Sequence, residues 1–358
     1  MRARRSPIER ALELEVSVER LGVVMAPDGS PAEAAGVLNP AFTRTRDGEA
    51  LLYPRTVEHG NVSRIERARV SMQGGKVTVE RLGFALEPEA AYELRPQRGY
   101  GCEDPRITFI PVLDEFLMTY TAFGPQGPRI AVARSRDGRN WARLGLVQFE
   151  YPGATQGDDK DAAFFPEPVT SPTGIRSLAF YHRPMLHLST VDARAAIPFI
   201  QKLALPDRES IRIAYVPLDA ALADRRALLT VRESTLALAP EERWGSLRVG
   251  GGTPPIRVAE GWMSLFHGVD LVDNQNGKPH FRYRAGLVIH DLQRPDRVLY
   301  RSSSPILAPE SELERHGVVD NVVFPTGIDR RSDLGERTFD VYYGMADFTC
   351  GAMRMTLA

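Results

Sequence analysis

A pair of β-strand patterns that recurs five times constrains the fold of this chain more than any other feature. Each copy has a proline-marked strand and, about ten to sixteen residues later, an apolar and aromatic strand that ends in polar residues. The prolines of the first strands are Pro40, Pro105, Pro166, Pro254 and Pro325. Strand pairs repeated every 60 to 90 residues or so, without amphipathic helices between them, are typical of propellers. We therefore predict an all-β fold, a five-bladed β-propeller.

A two-sheet sandwich is the alternative all-β fold, but it does not explain why the same strand pair recurs five times. In the second copy, residues 130–133 supply a third strand of the same sheet. The Asp-Gly step that ends at Gly138 favours a hairpin turn after that strand, because glycine tolerates positive φ. The sequence thus predicts a third strand in the second repeat.

The first 20 residues differ in character from the rest of the chain. They are charged and helix-compatible, with Ile8, Leu12 and Leu14 as packing points. We expect residues 1–20 to form an N-terminal extension and residues 21–358 to form one catalytic propeller domain.

Composition excludes several classes of function. The net charge of −1 offers no basic excess for a nucleic acid or a membrane surface. Two cysteines, Cys102 and Cys350, are too few for a disulfide framework or a cysteine metal site, and the seven histidines are scattered. Residues 6–20 carry charges where a signal peptide needs an apolar run, and no window resembles a membrane span. We predict a cytoplasmic protein without a metal site, and a homo-oligomer is compatible with the sequence.

Residues 101–108 read Gly-Cys-Glu-Asp-Pro-Arg-Ile-Thr and contain the strongest catalytic candidates. Pro105 fixes its own φ and disfavours helix at Asp104, so we expect an extended strand to begin here. Side chains alternate along a strand, so Asp104 and Arg106 are expected on one face and Glu103 on the other. A carboxylate beside a guanidinium suits acid–base chemistry on a polyhydroxylated substrate. The alternative is a buried structural Asp–Arg pair.

Polar residues stand at the proline motifs and at the ends of the second strands throughout the repeats. In a propeller these strand ends converge on the central channel, and burying so many polar groups without partners would be costly. We therefore expect a shared polar site. The residues at these positions are Asn39, Arg55, Glu103, Asp104, Arg106, Glu167, Arg183, His267 and Asp347.

Several motifs, in order from residue 37 to the C-terminus, resemble those of glycoside hydrolase family 130. The resemblance covers nearly the whole chain, and seven motifs in order are more specific than the Glu-Asp-Pro-Arg piece alone. The motifs are residues 101–108, 165–167, 250–256, 266–269, 305–307, 321–327 and 342–347.

This resemblance implies a five-bladed propeller that acts on β-mannosides with inversion. Most family members transfer the mannosyl group to inorganic phosphate, which is then a co-substrate beside the oligosaccharide, and no other cofactor is implied. The resemblance makes Asp104 the general acid, acting through a hydroxyl of the bound sugar. The implied sugar-binding residues are Asn39, Arg55, Glu103, Arg106, Glu167, Phe324 and Asp347.

By position relative to the motifs, the family's phosphate ligands correspond to Lys160, Arg183, Arg248 and His267. These side chains are cations or donors, as a phosphate dianion requires. In this sequence Lys160 stands where arginine is common, Arg248 where lysine is common, and Asp161 where an amide is often found. An added carboxylate would repel phosphate unless it faces away.

Three readings of function remain open at this point. The first is an inverting β-mannoside phosphorylase. The second is an inverting β-mannosidase, in which Glu167 is the candidate base that activates water. The third is a non-catalytic sugar-binding propeller. The linkage and the acceptor sugar depend on loops, which we expect at residues 92–100 and 186–210.

Overall fold

The structure is a computed structural model, and it describes residues 13–73, 76–154, 157–186, 193–275 and 278–358. Most of these residues lie in β-strands, so the predicted all-β class is confirmed. None of the helices in these ranges is long and apolar enough to cross a lipid bilayer.

The strands, in chain order, are β1 (Val16–Met25), β2 (Gly36–Arg44), β3 (Ala50–Glu58), β4 (Val62–Gln73), β5 (Lys76–Leu86), β6 (Tyr100–Ile110), β7 (Glu115–Gly124), β8 (Gly127–Ser135), β9 (Ala142–Leu146), β10 (Gln148–Phe149), β11 (Asp159–Phe164), β12 (Val169–Thr170), β13 (Arg176–Pro184), β14 (Ile211–Pro217), β15 (Thr230–Val231), β16 (Glu233–Leu238), β17 (Arg248–Gly251), β18 (Ile256–Arg257), β19 (Trp262–Gln275), β20 (Lys278–His290), β21 (Val298–Arg301), β22 (Val323–Arg330), β23 (Thr338–Met345) and β24 (Thr349–Leu357). The α-helices are α1 (Ala193–Lys202), α2 (Leu218–Ala223) and α3 (Glu312–Arg315). Short 3₁₀ turns lie at Pro31–Glu33, Leu205–Asp207, Arg225–Leu229 and Arg243–Gly245.

Most of these strands belong to five four-stranded antiparallel meanders, named I to V. They are I (β2–β5), II (β6–β9), III (β11, β13, β14 and β16), IV (β17, β19, β20 and β21) and V (β22–β24 with β1). Meanders I and II are linked by a short parallel bridge between β4 and β6. The two strands of each sequence repeat pair with each other, one pair in every meander.

Meander V is assembled from both ends of the chain. Strand β1 pairs antiparallel with the last strand, β24, with Val16 opposite Leu357. Residues 16–20, which we expected in a helix-compatible extension, are therefore strand, because their pairing partner lies at the far end of the sequence. Leu14 packs against the core of meanders IV and V. Ile8 and Leu12 lie outside the described residues.

Five buried hydrophobic clusters fill the spaces between the meanders. Four of them join consecutive meanders in chain order, I with II, II with III, III with IV and IV with V. The fifth joins V back to I, where the rings of Phe42 and Tyr342 stack with centroids 5.2 Å apart. Each meander thus has two apolar faces, because its strands are covered on both sides. The five-bladed ring that the repeats predict stays a prediction.

A backbone irregularity recurs in the first strand of meanders I, II and III. The ladder between the first two strands is interrupted, and a residue with left-handed φ lies in each interruption. These residues are Asn39 at φ 47°, Asp104 at φ 48° and Asp161 at φ 61°. Asn and Asp tolerate this conformation better than most residues, although it still costs roughly 1–3 kcal/mol. Such a bulge redirects the side chain that it carries.

Candidate active site

A cavity of about 220 Å³ is lined by residues from all five meanders. Nine of the twelve site residues predicted from the sequence line it: Asn39, Arg55, Asp104, Lys160, Arg183, Arg248, His267, Phe324 and Asp347. Asp161, Met185, Tyr283 and Val322 complete the lining. The predicted convergence of strand ends therefore brings most of these residues together, in a polar cavity that suits a sugar and an anion better than an apolar ligand.

Asp104 is held in place by neighbours from meander I. Asn39 donates a hydrogen bond from Nδ2 to Oδ1 of Asp104 at 2.9 Å, and Nη1 of Arg55 lies 3.3 Å from the same oxygen. Burial would raise the pKa of Asp104, but the charges of Arg55 and Lys160 outweigh burial, so its pKa is lowered. With these neighbours Asp104 is ionised at neutral pH.

Glu103 lies on the same side as Asp104 and connects two cations. Its Oε1 accepts from Arg55 at 2.9 Å, and its Oε2 accepts from Lys160 at 3.1 Å. The predicted alternation, with Glu103 and Asp104 on opposite faces, is wrong. Pro105 was expected to keep Asp104 extended, but Asp104 takes left-handed φ in the bulge, which breaks the two-residue period.

Arg106 does not line the cavity. It is almost fully buried, and its guanidinium donates to the carbonyl oxygens of Gly251 at 3.0 Å, Gly252 at 3.1 Å and Asp104 at 2.9 Å. Arg106 thus ties meander II to meander IV and fixes the backbone at Asp104. Its predicted contact with sugar is not supported by this placement, because its donors are occupied by backbone.

The cationic side of the cavity is largely neutralised by carboxylates. Arg183 donates from Nε to Oδ2 of Asp161 at 2.7 Å and forms a second ion pair with Glu209, while Lys160 is paired with Glu103. The carboxylate of Asp161, which would repel phosphate unless it faced away, lines the cavity beside the expected phosphate ligands. The site therefore does not hold four uncompensated donors.

Arg248 differs from the other cations of the cavity. Among the described residues it forms no ion pair with a carboxylate, and its guanidinium hydrogen-bonds the hydroxyl of Tyr283. The guanidinium also lies over the rings of Phe281 and Tyr283, at 6.0 and 5.5 Å from their centroids. Arg248 is thus the cation best placed to pair with an incoming anion.

His267 is a neutral donor and not a cation. Burial lowers its pKa to about 3, although the charge of Asp161 opposes this shift. Its ring packs on Phe324 with centroids 4.5 Å apart, and its Nε2 lies 3.8 Å from Oδ2 of Asp161. A neutral imidazole has one N–H, so His267 can donate a single hydrogen bond to a ligand.

The glycine run at residues 250–252 makes room for these side chains. A Cβ atom on Gly250 would lie 2.3 Å from Cε1 of His267 and 2.4 Å from Oδ2 of Asp161. A Cβ atom on Gly252 would lie 2.5 Å from the carbonyl oxygen of Leu265. None of the three glycines has positive φ, so glycine is needed at these positions for close packing and not for backbone conformation.

Asp347 faces the cavity from the turn between β23 and β24. Burial raises its pKa to about 6, and the negative charge of Asp104 acts in the same direction. Near neutral pH a fraction of Asp347 is therefore protonated and able to donate a hydrogen bond to a sugar hydroxyl.

Glu167 lies outside this site. Its carboxylate accepts from Arg257 at 2.9 Å, and both side chains are more than 40% exposed. Glu167 lies in the bend after the end of β11, whereas the cavity-lining residues Lys160 and Asp161 lie at the start of that strand. The predicted roles of Glu167 as a sugar ligand or a base are not supported by its position.

Sequence reasoning missed several residues of this site. Glu209, Tyr283 and Met185 lie outside the seven motifs, although Glu209 falls in the loop expected at residues 186–210. Asp161 was noted only as a departure, although its place in the first strand of meander III matches that of Asn39 and Asp104. That shared position was the available signal. Among the described residues no three His, Cys, Asp or Glu side chains are arranged to hold a metal ion.

Comparison with known proteins gives consistent relatives. The sequence model of glycoside hydrolase family 130, described as β-1,4-mannooligosaccharide phosphorylase, matches residues 8–199 and 223–357. A 1,2-β-oligomannan phosphorylase from Thermoanaerobacter sp. (strain X514) is 30% identical over 286 residues, which are 76% of this chain and 77% of that protein. A β-1,2-mannobiose phosphorylase from the same organism is 31% identical over 259 residues, 72% of this chain and 67% of that protein.

A solved structure has the same fold. The β-1,2-mannobiose phosphorylase from Listeria innocua, in complex with β-1,2-mannobiose, superposes with a TM-score of 0.69 at 23% identity. The alignment covers 95% of this chain and 96% of that one. With the family model matched along both parts of the chain, the protein belongs to glycoside hydrolase family 130.

Proposed function

We propose that this protein is an inverting β-mannoside phosphorylase, which converts a β-mannoside and inorganic phosphate into α-D-mannose 1-phosphate and a shortened sugar. The observation that carries the proposal is that one cavity is lined by Asp104 and by the cations Lys160, Arg183 and Arg248. An inverting transfer needs an acid at the leaving oxygen and a nucleophile on the opposite face of the sugar. The names of the relatives agree with phosphate as that nucleophile.

The lowered pKa of Asp104 fits this reaction if bound phosphate raises it. A phosphate dianion near Lys160 and Arg248 offsets the positive charge that keeps Asp104 ionised, and so favours its protonation. The protonated carboxyl then passes its proton to the leaving oxygen through a hydroxyl of the bound mannose. The leaving sugar departs neutral, and phosphate forms the new bond at the anomeric carbon.

We also propose that meanders I to V are the blades of a five-bladed propeller. The support is the set of five hydrophobic clusters, which join the meanders in cyclic order, V with I included. The pairing of β1 with β24 places both ends of the chain in one meander. A ring of this kind would place the cavity at its central channel.

Hydrolysis is the second candidate, because Asp161 and Glu209 neutralise Arg183. In that reading water replaces phosphate and a carboxylate other than Glu167 must activate it. Asp161 is a poor base, because the charge of Arg183 outweighs burial and holds its pKa well below the usual range. Asp161 is therefore not suited to activate water.

The deciding experiment compares cleavage with and without phosphate. Two relatives act by name on β-1,2-linked substrates, so β-1,2-mannobiose is the first substrate, with β-1,4-mannobiose beside it. After dialysis against phosphate-free buffer, cleavage should stop, and added phosphate should restore it with mannose 1-phosphate as product. Equal rates in both buffers, with free mannose released, would identify a hydrolase. A cytoplasmic location, where phosphate is abundant, belongs to the same proposal.

A further inference from the structure

We propose that Asp161 makes the anion subsite selective for oxyanions that carry a proton, such as phosphate and arsenate, over sulfate, which carries none. The inference rests on the proposed function, because the subsite is the one that would hold the attacking phosphate. It assigns a purpose to a carboxylate that charge alone would make unfavourable beside a bound anion.

Asp161 is built into the cavity wall. It is 3% exposed, lines the cavity beside Arg183, Arg248 and His267, and takes left-handed φ in the bulge of β11. Its Oδ2 accepts from Nε of Arg183, while its Oδ1 lies 3.5 Å from Nη2 of Arg106. The carboxylate is thus held in one orientation.

Asp161 has room to accept a further hydrogen bond. An ionised carboxylate offers about four acceptor positions and no donor. The short contact with Arg183 occupies one of them, and the contact with Arg106 is long. Because Arg183 keeps Asp161 ionised, a ligand atom beside it must bring a hydrogen atom.

Phosphate and sulfate differ in this respect. At slightly alkaline pH both ions carry close to two negative charges, but hydrogen phosphate keeps one hydroxyl and sulfate has none. Hydrogen phosphate can donate that hydroxyl to Asp161 and accept from Arg183 and Arg248. Sulfate would place an oxygen lone pair against the carboxylate, an unpaired and repulsive contact in a buried site.

Glu209 provides a matched control for this argument. Like Asp161 it is a buried acid paired with Arg183, but it is not part of the cavity lining. Asp161→Asn and Glu209→Gln therefore remove the same charge near Arg183, and only the first changes the atom that meets the anion. Asparagine also tolerates left-handed φ, so the bulge should be kept.

The experiment is a calorimetric titration of the sugar-free protein with inorganic phosphate and with sulfate. We expect the wild type to bind phosphate at least tenfold more tightly than sulfate. Asp161→Asn should bring the two affinities to within about threefold, mainly by tighter sulfate binding, because its amide can donate to sulfate. Glu209→Gln should change both affinities by a similar factor and keep the preference.

Two results would overturn the inference. One is a wild-type protein that binds phosphate and sulfate with equal affinity. This test does not depend on the folding of any variant. The other is an Asp161→Asn protein, shown by thermal unfolding to be folded, in which the affinities for phosphate and sulfate rise by the same factor. Equal gains would mean that the charge of Asp161 repels both anions alike and does not select between them. If cleavage proves independent of phosphate while the binding preference behaves as expected, the proposed function fails and the selectivity stands.

Discussion

Asn39 and Asp104 are joined by a hydrogen bond of 2.9 Å, and they occupy the same position in neighbouring meanders. Each is the left-handed residue before a proline in the first strand of its meander. Asn39 is so close to meander V that a Cβ atom on Gly344 would lie 2.0 Å from its Oδ1. One local irregularity, repeated between meanders, thus brings side chains that are distant in sequence to a common cavity.

The first prediction concerns Asp104 as the acid. Asp104→Asn is nearly isosteric and still pairs with Arg55 through its amide oxygen, so the fold should survive. Turnover of β-mannoside should fall by roughly 10²–10⁴-fold, the usual contribution of a general acid. Glu167→Gln is the control, because Glu167 is half-exposed and outside the cavity, and its turnover should stay close to wild type. Similar losses in both variants would show that the cavity is not the reaction site.

The second prediction concerns Arg248 in the proposed anion subsite, where it forms no ion pair with a carboxylate among the described residues. Arg248→Met keeps much of the side-chain volume but loses a charge-assisted hydrogen bond, which is worth about 1.5–3 kcal/mol. The phosphate KM should rise by roughly ten- to hundredfold, with a smaller change in the sugar KM. Arg257→Met, on the exposed pair with Glu167, should leave both constants unchanged. A sugar KM that rises as much as the phosphate KM would place Arg248 elsewhere.

The third prediction concerns the pH dependence of stability. The pKa of the Asp347 carboxyl is about 6 in the folded protein, above the ordinary aspartate value of 3.8 that applies to the unfolded chain. The folded state therefore binds this proton more tightly than the unfolded state does. Ionisation of Asp347 therefore destabilises the fold. This penalty is complete once the pH is well above 6, and it disappears as the pH falls below about 4.

Asp347→Asn removes this penalty. At pH 8 it should increase the free energy of unfolding by at most about 3 kcal/mol, and near pH 5 by about half as much. Urea unfolding of both proteins at the two pH values measures the difference. A change in the free energy of unfolding that is equal at the two pH values, whether a gain or a loss, would contradict the raised pKa of Asp347.

The fourth prediction concerns closure of the fold. A fragment that ends at Ala308 lacks β22–β24, which leaves β1 without its partner and exposes the clusters that join V to IV and to I. We expect this fragment to be insoluble or to unfold without cooperativity, whereas the full chain should unfold in one transition. A soluble fragment with a sharp unfolding transition would mean that meanders I to IV are independent of V.

Local pattern in the sequence was enough to place the paired strands of each repeat. It was also enough to predict that most of the residues lining the cavity lie close together. Proline and aromatic residues act on their own segment of backbone, so Pro40 with Tyr53 and Pro105 with Tyr120 mark strand pairs without reference to the rest of the chain. The polar residues at their ends could then be grouped, because repeated units place equivalent residues at equivalent points.

Only the tertiary structure decided which way several side chains point and with what they pair. Strand alternation put Asp104 opposite Glu103, yet a bulge places both on Arg55, and a register break of this kind depends on the partner strand. Glu167 carries the same kind of motif as Asp104 and still lies outside the cavity. Arg183 looked like a free phosphate ligand, but its partners Asp161 and Glu209 come from separate stretches of chain. Charge compensation is a property of distances in space, which sequence spacing does not contain.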